Sequence, residues 1–103
     1  MSAGVQRYLV ESYVPRLAEA ECNVVASRAR SVADELSRNG TSVRYLHSLF
    51  VAEDETCFHV FEAASVEAVA EASRQAELAH ARIVPVRFVR RTPRRAGATQ
   101  ADR

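Results

Sequence analysis

The spacing of apolar and polar positions changes several times along the chain, and each change predicts a new element. Residues 7–14 are rich in β-branched and aromatic side chains and are followed by Pro15, which is typical of a strand. From residue 17 to 38 the apolar positions recur every three or four residues, which predicts a helix ended by Asn39-Gly40. Its apolar stripe consists of Cys22, Val25, Ala29, Val32, Ala33 and Leu36.

The second half of the chain predicts a hairpin, a helix and a final strand. The hairpin covers residues 42–63 and turns around residues 52–55. Ser65 is the predicted N-cap of a helix that runs to about Leu78. Its narrow apolar stripe consists of Val66, Val69, Ala70 and Ser73 or Ala76. The last strand covers residues 82–89, and we expect it at a sheet edge because Pro85 lacks an N–H donor.

The resulting order, β-α-β-β-α-β, predicts an α+β fold of the ferredoxin-like type. Right-handed crossovers on this order give a four-stranded antiparallel sheet with two helices on one face. Both hairpin strands are apolar at most positions, so the other face of the sheet would expose a large hydrophobic patch. A second copy of the chain would cover it, and we therefore expect a homodimer of the dimeric α/β barrel type.

Length and charge narrow the class of protein. A chain of 103 residues predicts one domain, which we place at residues 5–90, followed by a disordered Arg-rich tail at residues 91–103. A net charge of +1 disfavours a nucleic-acid partner, and no segment has the length and hydrophobicity of a membrane span or a signal peptide. Two cysteines do not make a secreted disulfide framework, so we expect a cytoplasmic protein.

Polar side chains that could carry chemistry interrupt the apolar runs of the hairpin. If its loop has an even number of residues, Tyr45, His47 and Glu62 share one face, and His47 and Glu62 are diagonal neighbours. If the loop is odd, His47 and His59 share a face with Cys57, which is a more metal-like set. We favour the even register, because Glu53-Asp54 suits a tight turn.

Several of these residues also have structural interpretations. His59 opposite Ser48 is typical of a hydrogen-bonded histidine, and Cys57 is typical of a small buried hydrophobic residue. His47 is the strongest functional candidate, because a half-buried imidazole titrates near neutrality and can act as a base or a ligand. Glu11 interrupts the first strand in the same way and is expected to converge with His47 and Glu62.

Three segments carry a family resemblance: Arg7–Glu11 (RYLVE), Val43–Ser48 (VRYLHS) and Glu53–Ala63 (EDETCFHVFEA). They resemble a family of small actinobacterial proteins of unknown function, one member of which is a nickel-binding protein with a dimeric ferredoxin-like fold. The resemblance covers residues 7–89 and implies a homodimer with a Ni²⁺ or other divalent-metal site. By motif match, the implied ligands are His47, Glu11 and Glu62. The Arg-rich tail departs from the family pattern, and so does His59.

An enzyme is the alternative hypothesis. Dimeric α/β barrels commonly enclose a cavity in which a small molecule undergoes cofactor-free oxygenation, isomerisation or dehydration. In that case His47 is the base, Glu62 or Glu11 orients it, and Tyr45 donates a hydrogen bond to the bound molecule.

Overall fold

The computed structural model describes residues 4–13, 19–78 and 80–89, and it contains the six predicted elements in the predicted order. They are β1 (Gln6–Tyr13), α1 (Glu19–Arg38), β2 (Val43–Val51), β3 (Thr56–Ala63), α2 (Val66–Gln75) and β4 (His80–Val86). A 3₁₀ turn at Ala52–Asp54 joins β2 to β3, and Glu55 after it is left-handed (φ 49°). The predicted tail, residues 91–103, lies outside the described residues.

The four strands form one antiparallel sheet in the order β2-β3-β1-β4, which confirms the ferredoxin-like prediction. β4 lies at an edge, as Pro85 predicts. Both helices pack on one side of the sheet, which we call the helix face. Neither of the two described helices is long and apolar enough to cross a membrane.

The core between the helices and the sheet combines large strand residues with small helix residues. Val10 and Phe61 on the strands are fully buried, and so are Ala29 and Ala33 of α1. Val25, Val32 and Leu36 flank this seam as partly buried residues, so the predicted stripe of α1 is largely confirmed. The helices contribute little apolar volume to this core, because each buried alanine has only one methyl group to pack.

The buried side of α2 differs from the predicted stripe. Ser65 caps this helix as predicted, and its Oγ accepts a hydrogen bond from the backbone N–H of Ala68 at 3.2 Å. Val69, Ser73 and Ala76 of the predicted stripe are buried, but Val66 and Ala70 are exposed, and Ala68 and Ala72 are buried in their place. Because alanines occupy both sides of α2, hydrophobicity alone gives a weak signal for its orientation.

The hairpin adopts the even register over most of its length. His47 pairs with Val60 and Ser48 with His59, as that register predicts. The pairing shifts by one residue between Tyr45 and His47, so that Tyr45 pairs with Phe61. Leu46 is therefore an extra residue in β2, a β-bulge that turns Tyr45 to the opposite face from His47.

Candidate functional site

His47, Glu11 and Glu62 lie on the side of the sheet that neither of the two described helices covers, which we call the open face. Cross-strand partners share a face, so the register defines this surface completely. The open face consists of Arg7, Leu9, Glu11 and Tyr13 of β1; Arg44, His47, Leu49 and Val51 of β2; Thr56, Phe58, Val60 and Glu62 of β3; and Arg82, Val84 and Val86 of β4.

His47, Glu11 and Glu62 all belong to the open face, but within one chain they do not form a cluster. His47 lies in the cross-strand row of Val60, whereas Glu62 and Glu11 belong to the rows on either side of it. In the part of the chain that the structure describes, no group of three His, Cys, Asp or Glu side chains is placed to hold a metal ion.

The carboxylates of Glu62 and Glu11 both form ion pairs with arginines. Glu62 lies between two guanidinium groups, with Nη2 of Arg44 at 3.1 Å from Oε1 and Nη2 of Arg7 at 3.5 Å from Oε2. Glu11 accepts a hydrogen bond from Nε of Arg82 at 3.3 Å. Each carboxylate is thus held by a charged partner rather than turned towards His47.

The segment after β4 crosses part of the open face. The ring of Phe88 stacks on the imidazole of His47, with the centroids 6.0 Å apart and the planes inclined by 22°. The same ring lies 4.7 Å from the guanidinium carbon of Arg7, within the range of a cation–π contact. Beside them lies an open cleft of about 430 Å³, lined in part by Arg7, Glu62 and Phe88. Phe88 is therefore a neighbour of the principal candidate ligand.

His59 lies on the helix face, the opposite face of the sheet from the exposed His47. It is fully buried, and its Nδ1 lies 2.8 Å from the hydroxyl of Tyr45. Its Nε2 is also buried and has no hydrogen-bond partner among the described residues. Burial lowers the pKa of His59 to about 4 and raises the pKa of Tyr45. His59 is a neutral core group at pH 7, which supports its structural interpretation.

Tyr45 requires a correction. The sequence places it on one face with His47 and Glu62, but the bulge at Leu46 turns it towards the helices, where its ring packs edge-on against Phe61 at 5.1 Å. The burial of a large aromatic ring favours this arrangement. Tyr45 therefore does not share a face with His47, and the enzyme hypothesis loses the hydrogen-bond donor it assigned.

Cys57 is also bonded elsewhere, because its sulfur forms a disulfide with Cys22. The two Cα atoms lie 6.7 Å apart, and both residues are buried on the helix face. While the disulfide is intact, Cys57 cannot serve as a thiolate ligand. Cys57 is thus buried as expected, but as half of a crosslink rather than as a free thiol.

A comparison with known families agrees with the architecture and the motifs. The family model described as nickel responsive protein SCO4226-like matches residues 8–86, from the third residue of β1 to the end of β4. The chain belongs to the SCO4226-like family. The resemblance inferred from the three sequence segments is thereby confirmed. No curated protein and no solved structure matches the chain.

In this member of the SCO4226-like family, sequence reasoning missed three features around the candidate residues. The cross-strand partners Arg44 and Arg82 follow from the register once it is known, since each lies directly opposite its carboxylate. The contact of Phe88 with His47 has no signal in the sequence. The Cys22–Cys57 pair did have one, because the stripe of α1 and the alternation of β3 place both cysteines at the same helix–sheet seam.

Proposed function

We propose that the protein binds a divalent metal of the nickel type as a homodimer, with His47 as the imidazole ligand and Glu11 and Glu62 as carboxylate ligands. The observation that carries the proposal is the position of His47. It is exposed on the open face, which also holds both carboxylates, in a chain from a family described as nickel responsive. His59, by contrast, is sealed in the core.

The chemistry of these donors suits the metal. Imidazole nitrogen together with carboxylate oxygen is a ligand set that nickel accepts, and zinc, cobalt and copper accept it as well. The bound ion would act as a Lewis acid or as a structural link between the groups that hold it. In the described part of one chain these donors are not grouped, so a single subunit does not complete the site.

The arginine pairs are a small obstacle to metal binding. The side chains of Arg44, Arg82 and Arg7 are 67%, 65% and 41% exposed, so all three ion pairs are screened by water. Exposed pairs of this kind contribute roughly 0–1 kcal/mol each. A divalent ion at Glu62 or Glu11 therefore needs to displace only weakly held partners.

A second copy of the chain provides the missing ligands in this proposal. Apolar side chains remain exposed around the open face, among them Tyr13 at 55%, Leu49 at 54% and Phe88 at 46%. Two open faces packed about a two-fold axis would bury these side chains. They would also bring a second His47 and a second pair of carboxylates towards the first set. The proposed site is therefore shared between subunits.

The test is calorimetric titration of the metal-free protein with Ni²⁺, followed by the same titration of His47→Ala, Glu62→Gln and Glu11→Gln. We expect each variant to bind Ni²⁺ on the order of tenfold more weakly or worse, because even the partners of metal ligands matter by 10–100-fold. Glu35→Gln is the matched control, since Glu35 is exposed on α1, where it pairs with Arg38. An unchanged affinity in His47→Ala would refute the proposed ligand set.

A further inference from the structure

The Cys22–Cys57 disulfide crosslinks the helix layer to the sheet. Cys22 lies in the first turn of α1, and Cys57 is the second residue of β3, 35 positions later. Their Cα separation of 6.7 Å lies within the range of disulfides. Both residues are almost inaccessible, at 4% and 2% exposure.

The crosslink fixes a part of the helix that packing holds weakly. The other fully packed residues of α1 are Ala26, Ala29 and Ala33, which bury one methyl group each. Cys22 and Cys57 are buried, but they lie outside the continuous hydrophobic cluster that joins the helices to the sheet. The first turn of α1 therefore depends on the sulfur–sulfur bond more than the rest of the helix does.

We propose that Cys22 and Cys57 form a reversible thiol–disulfide site whose oxidation state controls the attachment of the first turn of α1 to β3. A small dithiol is the chemical class of reductant. Its two thiols transfer two electrons and two protons, the Cys22–Cys57 bond breaks to give two thiols, and the reductant becomes a disulfide. A disulfide oxidant such as oxidised glutathione reverses the reaction.

Two features make the site reversible. The sequence contains only two cysteines, so reduction and reoxidation within one chain regenerate the same pair and no other. The rest of α1 also stays anchored when the bond is broken, through its alanines and through Arg28, whose Nε donates to the carbonyl of Ala76 at 2.6 Å. The two sulfurs therefore remain close enough to pair again.

The burial of both cysteines predicts how reduction proceeds. A dithiol must contact a sulfur directly, and both cysteines are buried while the first turn of α1 is packed on β3. The first turn of α1 therefore has to detach transiently before exchange occurs. As the dithiol concentration rises, the rate of reduction should level off at the rate of this local opening.

The experiment follows thiol content, melting temperature and hydrogen exchange of the full chain in the presence and absence of dithiothreitol. Alkylation under denaturing conditions should give no free thiols after treatment with oxidised glutathione and two after reduction. Opening a crosslink of this span should lower the melting temperature by on the order of 10 °C or more. Exchange should accelerate most at residues 19–26, and the acceleration should reverse on reoxidation.

The matched control is the double variant Cys22→Ala/Cys57→Ala, whose melting temperature should not respond to dithiothreitol. If that variant does not fold, the wild-type protein with and without the dithiol still decides the question. If the two thiols of the reduced protein do not form a disulfide with each other after oxidised glutathione is added, the proposal is overturned. So would a reduced protein whose melting temperature and hydrogen exchange match those of the oxidised one.

Discussion

At the scale of single residues, the two histidines that the hairpin brings to opposite faces have opposite properties. His59 is sealed between the sheet and the helices, where the hydroxyl of Tyr45 is its one hydrogen-bond partner among the described residues. On the helix layer, the guanidinium of Arg30 lies over the ring of Tyr45 at 5.0 Å. Among the described residues no carboxylate compensates a proton on His59, so burial keeps the imidazole neutral.

This burial makes the stability of the protein depend on pH. The pKa of His59 is about 4 in the folded protein and 6.5 in its ordinary state, so the unfolded chain binds more protons between these values. The free energy of unfolding should therefore fall as the pH drops from 6.5 towards 4, by a total of about 3 kcal/mol from this group. Urea denaturation at a series of pH values measures the loss.

Two variants separate this effect from the titration of other groups. His59→Phe removes the titrating group, so its stability should change less between pH 6.5 and 4, whatever its stability at pH 7. His47→Ala removes the exposed histidine of the same hairpin and is the matched control. An equal dependence in wild type and His59→Phe would show that burial of His59 is not the cause.

At the scale of elements, α1 lies close to the sheet because its inner side consists of small residues. Ala29 and Ala33 are fully buried, and the strand residues facing them are large. There is no room for a longer side chain without displacing the helix. The closeness of the two layers is also what brings Cys22 within bonding distance of Cys57.

Ala29→Leu should therefore destabilise the protein by about 1–3 kcal/mol, the usual cost of overpacking a dense core. Thermal or urea denaturation of the full chain measures the change. Ala20→Leu introduces the same side chain at an exposed position of the same helix and should change the stability by less than about 0.5 kcal/mol. Similar values for the two variants would mean that the helix–sheet seam is not tightly packed.

Some features of the fold could be predicted from the sequence, and others could not. The order of strands and helices, the edge position of β4 and the capping by Ser65 each follow from a local pattern, and all are confirmed. The register of the hairpin near its turn is also correct. The bulge at Leu46 has no such pattern, because no glycine or unusual residue marks it. Its cause is tertiary, since the ring of Tyr45 packs against Phe61 and binds His59 on the helix face.

At the scale of the whole molecule, the two faces of the sheet are chemically distinct. The helix face is closed by packing and by one disulfide. The open face combines exposed apolar side chains with the carboxylate–arginine pairs of Glu11 and Glu62. Such a mixture suits an interface between two copies, because the apolar residues stabilise the contact and the charged groups fix its orientation. The proposed dimer and the proposed metal site thus involve the same surface.

A charge on this surface tests both proposals together. Leu49 is 54% exposed on the open face, and Leu49→Asp would place a carboxylate in the proposed interface. We expect the dimer to dissociate at concentrations at least about tenfold higher than for the wild type, because an unpaired charge is costly to bury. Analytical ultracentrifugation over a range of concentrations measures this. Nickel affinity should fall in parallel, since the ligands come from two chains.

The control is Val24→Asp, which introduces the same charge at a residue that is 61% exposed on α1, far from the open face. It should keep both the wild-type dimer and the wild-type nickel affinity. A wild-type protein that is monomeric at every concentration would contradict the dimer. Unchanged nickel binding by a monomeric Leu49→Asp variant would instead place the complete metal site within one chain, where the arginine partners of Glu11 and Glu62 would have to move aside.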